Sequence, residues 1–182
     1  TVHFAEGGQT SEEIPVERFV GPAVVVDVRA SAGGNPDAVA GVSDLEAWEA
    51  RHGPIPTGAI VLFRTGWSER WGDRERYLGT ARTGPEAVAE LHFPGIDPDA
   101  ARWLLANRRV AAVGIDTASI DRGQSKDFET HRVLLGAGVP AFENVARLAE
   151  LPEIGSWVVA LPMKIRGGSG GPARIIAFIP TS

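Results

Sequence analysis

Short, continuous apolar runs recur along the chain, and each is bounded by glycine, proline or aspartate. They cover residues 23–28, 60–63, 110–115, 157–161 and 175–179. Short runs with such boundaries are typical of β-strands. Because the runs are continuous rather than alternating, they predict strands that are covered on both faces.

Two helices are predicted from their capping signals. Ser43 and Glu46 have the spacing of a capping box, which predicts a helix that runs to Arg51 and ends at a Gly-Pro pair. Asp97 followed by Pro98 is typical of an N-cap with proline in the first turn, and it predicts a helix through residue 105.

Two further helices are expected nearer the C-terminus, over residues 128–135, ending at Gly136, and over residues 143–150. Strands that alternate with helices predict an α/β domain with a mixed sheet. A length of 182 residues corresponds to roughly one domain, so we expect a single domain over residues 1–182.

The composition limits the chemistry that is available. The chain has no cysteine, which excludes a disulfide scaffold, a thiolate nucleophile and Cys-ligated metal sites. Metal or general-base chemistry therefore depends on carboxylates and on four histidines, which are His3, His52, His92 and His131.

The charge and the hydropathy pattern bear on the partners. The net charge of −5 argues against nucleic acid as a partner. The apolar runs are far shorter than the ~20 residues of a membrane span, and the first residues show no signal-peptide pattern. We therefore expect a cytoplasmic protein that acts on a small molecule, with neither nucleic acid nor a membrane as its partner.

Residues 167–171, Gly-Gly-Ser-Gly-Gly, fit the letters of the G-x-S-x-G nucleophile motif. That motif needs a helix after the serine, whereas a proline and a strand-like run follow here. The segment therefore predicts a flexible turn between two strands.

Polar side chains follow the apolar run that ends at residue 115. Asp116, Ser119 and Asp121 would lie at the carboxyl end of a buried strand, where sites in α/β sheets form. The same residues also suit a turn whose side chains cap nearby backbone amides. Both interpretations stay open on the residues alone.

His131 and Glu143 form another candidate site, with a Gly/Pro turn between them. Without thiolates, such a pair suits zinc or manganese bound by nitrogen and oxygen. Alternatively, His131 is a hydrogen-bonded helix residue and Glu143 an acid in a first helical turn. A triad of Ser119, His131 and Asp121 has the right residue types, but no nucleophile elbow presents Ser119.

The remaining candidates are aromatic or imidazole side chains. His52 is expected at a helix end, where it is structural. His92 either lines a pocket or covers a loop. Trp67 and Trp71 are four residues apart on a possible helix and belong to the core or to a pocket wall.

Seven segments in order resemble one family, the cyclases, which are metal-dependent hydrolases similar to bacterial kynurenine formamidase and isatin hydrolase. The segments are residues 3–8, 14–25, 65–67, 93–96, 114–121, 131 and 143–144. The resemblance implies a swivelling β/β/α fold, a divalent metal (Zn or Mn) and a homodimer or homotetramer.

The family signature H-x-G-T-H-x-D-x-P-x-H ends in a histidine that acts in acid–base chemistry and is followed by an aromatic residue. His3 and Phe4 match that end, while Thr1 stands where the family has proline. The three metal ligands of the signature have no counterpart in the chain, so we expect that an N-terminal segment is missing. His131 and Glu143 match the later ligands of the family.

The resemblance implies a hydrolase that opens an amide or cyclic amide with water activated by a metal. In this hypothesis His3 is the catalytic acid–base, and His131 and Glu143 bind the metal. Asp116, Ser119 and Asp121 support these ligands, and Phe4, Trp67 and His92 contact the substrate. The alternatives are a polyketide-type cyclase or lactone hydrolase with the same site, and a non-catalytic homologue that acts in binding or assembly.

Overall fold

A computed structural model describes residues 4, 7–32 and 34–180 of the chain. The strands are β1 (Val20–Asp27), β2 (Val39–Ala40), β3 (Ile60–Arg64), β4 (Gly95–Ile96), β5 (Ala112–Ile115), β6 (Ala141–Phe142), β7 (Ser156–Pro162) and β8 (Ala173–Phe178). Six of them form one sheet in the order β6-β5-β3-β1-β7-β8, and β2 pairs with β4 separately.

The large sheet is mixed. Strands β1, β3, β5 and β6 run parallel, whereas β7 is antiparallel to both β1 and β8. The predicted α/β class with a mixed sheet is therefore confirmed. Because parallel strands end at one edge, the segments that follow β3, β5 and β6 meet there.

The helices lie mainly between the parallel strands. They are α1 (Arg29–Ala32), α2 (Val42–His52), α3 (Arg74–Leu78), α4 (Pro98–Asn107) and α5 (Glu129–Gly136). Short 3-10 helices cover Val16–Arg18, Trp67–Arg70, Pro85–Glu90 and Leu148–Glu150. Among the helices that the structure describes, none is long and apolar enough to cross a membrane.

Apolar clusters cover both faces of β1, because neighbouring residues on a strand point to opposite faces. Val24 and Val26 belong to one cluster together with Leu104 of α4 and Leu134 of α5. Val25 belongs to the other cluster, which includes residues of β7. Every residue of β5 is buried, so the prediction of strands covered on both faces is confirmed for the centre of the sheet.

The same prediction is wrong for the β7–β8 hairpin. Residues of β7 alternate between buried and exposed, and Trp157 is 50% exposed. Phe178, its partner across the hairpin, is 61% exposed. A run of apolar residues alone does not report whether a second layer packs on the strand.

The helix predicted over residues 143–150 is also wrong. Asn144 and Arg147 have φ angles of 56° and 62°, which interrupt a right-handed helix. The N–H groups of Asn144 and Val145 donate to Thr117 O and Ile115 O, at 2.8 and 3.0 Å. These amides thus attach the segment to the end of β5, and only Leu148–Glu150 forms a 3-10 turn.

The start of α2 differs from the predicted capping box. Gly41 is the N-cap, and its N–H donates to the Asp44 carboxylate at 2.8 Å. Ser43 lies within the first turn of the helix rather than at the cap. The helix therefore begins one residue before Ser43, and the reciprocal acid is Asp44 rather than Glu46.

Replacing Glu49 with glutamine should reduce stability in a pH-dependent way. Glu49 on α2 accepts a hydrogen bond from Arg108 Nε at 2.6 Å and another from the Ile55 N–H at 2.8 Å. Arg108 is the main reason that the pKa of the Glu49 carboxyl is lowered, despite partial burial. We expect Glu49→Gln to lower the free energy of unfolding at pH 7 by about 1–3 kcal/mol.

The sign of the pH dependence follows from the lowered pKa. The stabilisation is present above the ordinary carboxyl pKa and is lost as the pH falls through the lowered value. Denaturant unfolding of wild type and Glu49→Gln should therefore converge as the pH falls below about 4. Glu46→Gln, an exposed change on the same helix, is the control. A constant difference between wild type and Glu49→Gln at all pH values would contradict this assignment.

Candidate functional site

His131 lies between two carboxylates at the edge where the parallel strands end. Its Nδ1 is 2.5 Å from Asp121 Oδ2, and its Nε2 is 3.1 Å from Glu143 Oε1. The imidazole side chain is only 12% exposed. Burial of the ring lowers the pKa of His131, but the hydrogen bonds to Asp121 and Glu143 outweigh it and raise the pKa to about 9.

Asp121 is held by the first turn of α5. Its carboxylate accepts hydrogen bonds from the N–H groups of Thr130 at 3.0 Å and His131 at 3.1 Å. Ser125 Oγ contributes a further hydrogen bond at 3.3 Å. Burial raises the pKa of Asp121, yet these donors and His131 lower it overall. Asp121 is thus a fixed anion that orients the His131 ring.

Glu143 comes directly after β6, which places it beside the loop that follows β5. The Ile120 N–H donates to Glu143 Oε1 at 3.1 Å, on the same oxygen that faces His131 Nε2. The Glu143 side chain is 33% exposed, so the pair is accessible from one side.

Aromatic rings enclose the imidazole. Phe4 stacks on His131 with the ring centroids 4.7 Å apart, and Phe128 contacts it edge-on at 6.1 Å. Phe128 adopts a left-handed conformation (φ 49°) immediately before α5. His3, the predicted acid–base residue, lies outside the described residues.

A cavity of about 1140 Å³ opens beside this pair. Its wall combines the pair with apolar side chains of the second core cluster and with the β7–β8 turn. Lining residues include Phe4, Trp71, His131, Phe142, Glu143 and Ser169. The predicted turn at residues 167–171 is confirmed, since it connects the antiparallel strands β7 and β8.

The side chains of Asp116 and Ser119 are hydrogen-bonded to groups other than the ring nitrogens of His131. The Asp116 carboxylate is fully buried and accepts hydrogen bonds from Thr65 and Gly66, next to the end of β3. Ser119 Oγ accepts a hydrogen bond from the Asp121 N–H at 3.3 Å. Because Asp121 and Glu143 occupy both ring nitrogens, the geometry does not support a Ser119 triad.

Trp67 and His92 are not among the described residues that line the cavity. Trp67 is buried in a small cluster with Tyr77 and Phe93, and its Nε1 donates to Tyr77 O at 2.8 Å. His92 pairs with Asp37 at 2.9 Å on a loop surface. Their predicted contacts with substrate have no support from these positions and stay predictions.

Tyr77 near the site carries no clear sequence signal, and Asn144 is marked only by its place in the family resemblance. Tyr77 donates from its hydroxyl to Asn144 Oδ1 at 2.9 Å, and Asn144 is the residue after Glu143. The contact joins positions far apart in the chain, so neither periodicity nor a short motif reveals it. The left-handed conformation of Asn144 is a common one for asparagine, but asparagine alone does not predict it.

His131 and Glu143 fit as two ligands of a divalent metal. Donors bound to one tetrahedral zinc lie about 3.3 Å apart, close to the 3.1 Å between Nε2 and Oε1. A carboxylate on the other nitrogen of a ligating histidine, as Asp121 provides, is a common arrangement. Within the described ranges, however, no group of three or more His, Asp or Glu side chains is arranged to hold a metal ion.

The profile of the family described as "Putative cyclase" matches residues 1–122. The chain belongs to this cyclase family. Isatin hydrolase from Roseibium aggregatum is 32% identical over 174 residues, which are 93% of this chain and 64% of that protein. Kynurenine formamidase from Salinibacter ruber is 31% identical over 176 residues, covering 96% and 70%.

Solved structures of the cyclase family agree with the fold. Isatin hydrolase A from Ralstonia solanacearum superposes with a TM-score of 0.85 at 39% identity, covering 95% of this chain and 65% of that one. A protein described as a potential metal-dependent hydrolase with cyclase activity superposes with a TM-score of 0.70 at 30% identity, covering 100% and 76%. This member of the cyclase family therefore spans about two thirds of the length of the isatin hydrolases it matches.

Proposed function

We propose that the protein is a metal-dependent hydrolase that opens an amide or a cyclic amide. The observation that carries the proposal is the His131 imidazole, which is held by Asp121 and lines a cavity of about 1140 Å³ together with Glu143. Membership of the cyclase family and the likeness to isatin hydrolase and kynurenine formamidase support it.

His131 and Glu143 would hold the metal through Nε2 and Oε1. When bound, a divalent cation such as Zn²⁺ or Mn²⁺ supplies Lewis-acid polarisation of a carbonyl and acidifies water. His131 Nε2 would give up its proton beside Glu143 when a metal binds, and Asp121 would keep the other proton of His131 on Nδ1. Ser119 holds the Asp121 backbone, and Asp116 fixes the ends of β3 and β5 behind the site.

The remaining roles belong to binding and proton transfer. Phe4 stacks on the metal-binding imidazole and lines the cavity, which suits a planar substrate. His3, the residue before Phe4, would pass a proton to the leaving nitrogen, a role that is typically worth ~10²–10⁴-fold in rate. The apolar side chains that line the cavity, such as Phe142, would contact the apolar part of the substrate.

The test is turnover of N-formylkynurenine and of isatin in the presence of Zn²⁺ or Mn²⁺, with a chelator-treated sample as the control. Metal-dependent turnover of one of these substrates, lost on His3→Ala, is expected. Turnover of neither amide but of lactones in a parallel panel would favour the lactone hydrolase or cyclase alternative instead.

A non-catalytic role in binding or assembly is favoured by one observation, that the described residues contain no group of three or more possible ligands arranged to hold a metal ion. Metal analysis of the purified 182-residue chain separates the two hypotheses. Stoichiometric metal would contradict the non-catalytic role. Association into a homodimer or homotetramer stays a prediction, and light scattering coupled to size exclusion measures it.

A further inference from the structure

The turn that carries Glu143 is attached to the sheet through Asn144. The Asn144 N–H donates to Thr117 O at 2.8 Å, and its φ of 56° turns the chain sharply away from β6. The carboxylate of Glu143 reaches back to the Ile120 N–H and His131 Nε2, each at 3.1 Å. The direction of Glu143 therefore depends on how firmly Asn144 is held.

The side chain of Asn144 is held by Tyr77. The phenol donates to Asn144 Oδ1 at 2.9 Å, and the same hydroxyl lies 3.4 Å from Asp116 O. Tyr77 is only 4% exposed, and its ring packs edge-on against Trp71. The Tyr77 carbonyl also accepts the Trp67 indole N–H, so both the backbone and the ring are fixed.

The phenol is suited to act as a permanent donor. Burial, together with the nearby carboxylates of Asp116 and Glu143, raises the pKa of Tyr77 above its ordinary value. The hydroxyl therefore keeps its proton at neutral pH. Tyr77 is not among the described residues that line the cavity, so it lies behind the wall rather than in contact with a substrate.

We propose that Tyr77 is a positioning residue, whose hydroxyl acts through Asn144 to aim the Glu143 carboxylate at His131 Nε2. The proposal rests on the proposed function, because it assigns Tyr77 to the geometry of the metal-binding pair. Its consequence is that removal of one oxygen atom behind the cavity wall weakens a metal site that the oxygen does not touch.

The test compares Tyr77→Phe with Thr80→Val. The first change removes only the hydroxyl and keeps the ring. The second removes another buried hydroxyl just after α3, which bonds to Glu90 and not to Asn144. A structural effect of losing a buried hydrogen bond should be similar in both variants, whereas an effect on Glu143 should appear only in Tyr77→Phe.

Two readouts are measured, and neither requires turnover. The first is the chemical shift and exchange rate of the Ile120 amide proton in the metal-free protein, which reports the hydrogen bond to Glu143. The second is the dissociation constant for Mn²⁺. For Tyr77→Phe we expect faster Ile120 exchange and a roughly 10-fold weaker Mn²⁺ affinity, since outer partners of ligands typically contribute 10–100-fold.

Asn144→Gly provides a second variant should Tyr77→Phe fold poorly, because glycine tolerates the positive φ and lacks the acceptor. The double variant Tyr77→Phe/Asn144→Gly should bind Mn²⁺ no more weakly than either single variant, if both changes remove the same hydrogen bond. An Ile120 amide that is unchanged in both single variants would overturn the proposal. If the Ile120 amide shifts in the variants while the wild-type protein turns over no substrate, that pair of results would contradict the proposed function and leave the positioning role of Tyr77 intact.

Discussion

Replacing His131 with alanine is expected to lower metal-dependent turnover by more than ~100-fold. Even groups that only orient a ligand contribute about 10–100-fold, and His131 is itself a proposed ligand. The variant also leaves the buried Asp121 without its cationic partner. We therefore expect loss of metal in addition to loss of rate.

Asp121, which orients the His131 ring, is tested by a separate variant. Asp121→Asn keeps the size of the side chain but weakens the bond to His131 Nδ1, so it should cost about 10–100-fold in metal affinity. His52→Gln is the matched control, because His52 also pairs with a carboxylate, Glu153 at 2.6 Å, yet does not line the cavity. His52→Gln should retain wild-type metal content and turnover.

Two measurements on His131→Ala test whether His131 is a metal ligand. Metal content measured by mass spectrometry and turnover measured at saturating metal should fall together in His131→Ala. If turnover falls while metal content stays stoichiometric, His131 acts on the substrate rather than on the metal. If neither falls, the site lies elsewhere in the protein.

Residue type and order single out His131 and Glu143 as candidate metal ligands, because the choice of nitrogen donors is narrow in a chain without cysteine and with four histidines. The family resemblance matches both residues to later ligands, and the structure brings them within 3.1 Å of each other, while their binding of a metal stays a prediction. The sequence pattern does not predict which hydrogen-bond partner each aspartate has. Asp121 contacts His131, whereas Asp116, five residues earlier, turns to β3 instead.

Local sequence patterns predict the wrong structure where hydrogen bonds to residues far away in the chain determine the backbone conformation. The segment after Glu143 has helix-forming residues, but its amides bond to Thr117 and Ile115, so a turn forms rather than a helix. Tyr77 has no local sequence signal, because its hydrogen bond to Asn144 joins residues that are far apart in the chain. In contrast, the buried strands β1, β3 and β5 were predictable, since burial on both faces requires continuous apolar runs.

Asp116→Ala should have the largest effect on stability, at least about 3 kcal/mol. The carboxylate is fully buried and accepts from Thr65 N at 2.8 Å, Thr65 Oγ1 at 2.6 Å and Gly66 N at 2.9 Å. Each buried donor that loses its acceptor costs about 1–3 kcal/mol. Such a loss is a large fraction of the 5–15 kcal/mol that typically stabilises a domain.

Denaturant unfolding of Asp116→Ala, Asp116→Asn and Asp99→Ala distinguishes the loss of the buried hydrogen bonds to Asp116 from a general effect of losing a carboxylate. Asp116→Asn keeps the shape but sets an NH₂ group against an N–H donor, so its cost should be intermediate. Asp99→Ala removes a carboxylate that is 78% exposed and should change the free energy of unfolding by less than about 0.5 kcal/mol. A loss below about 1 kcal/mol in Asp116→Ala, with an unchanged denaturant slope, would mean that water replaces the carboxylate. In that case the ends of β3 and β5 would not depend on Asp116.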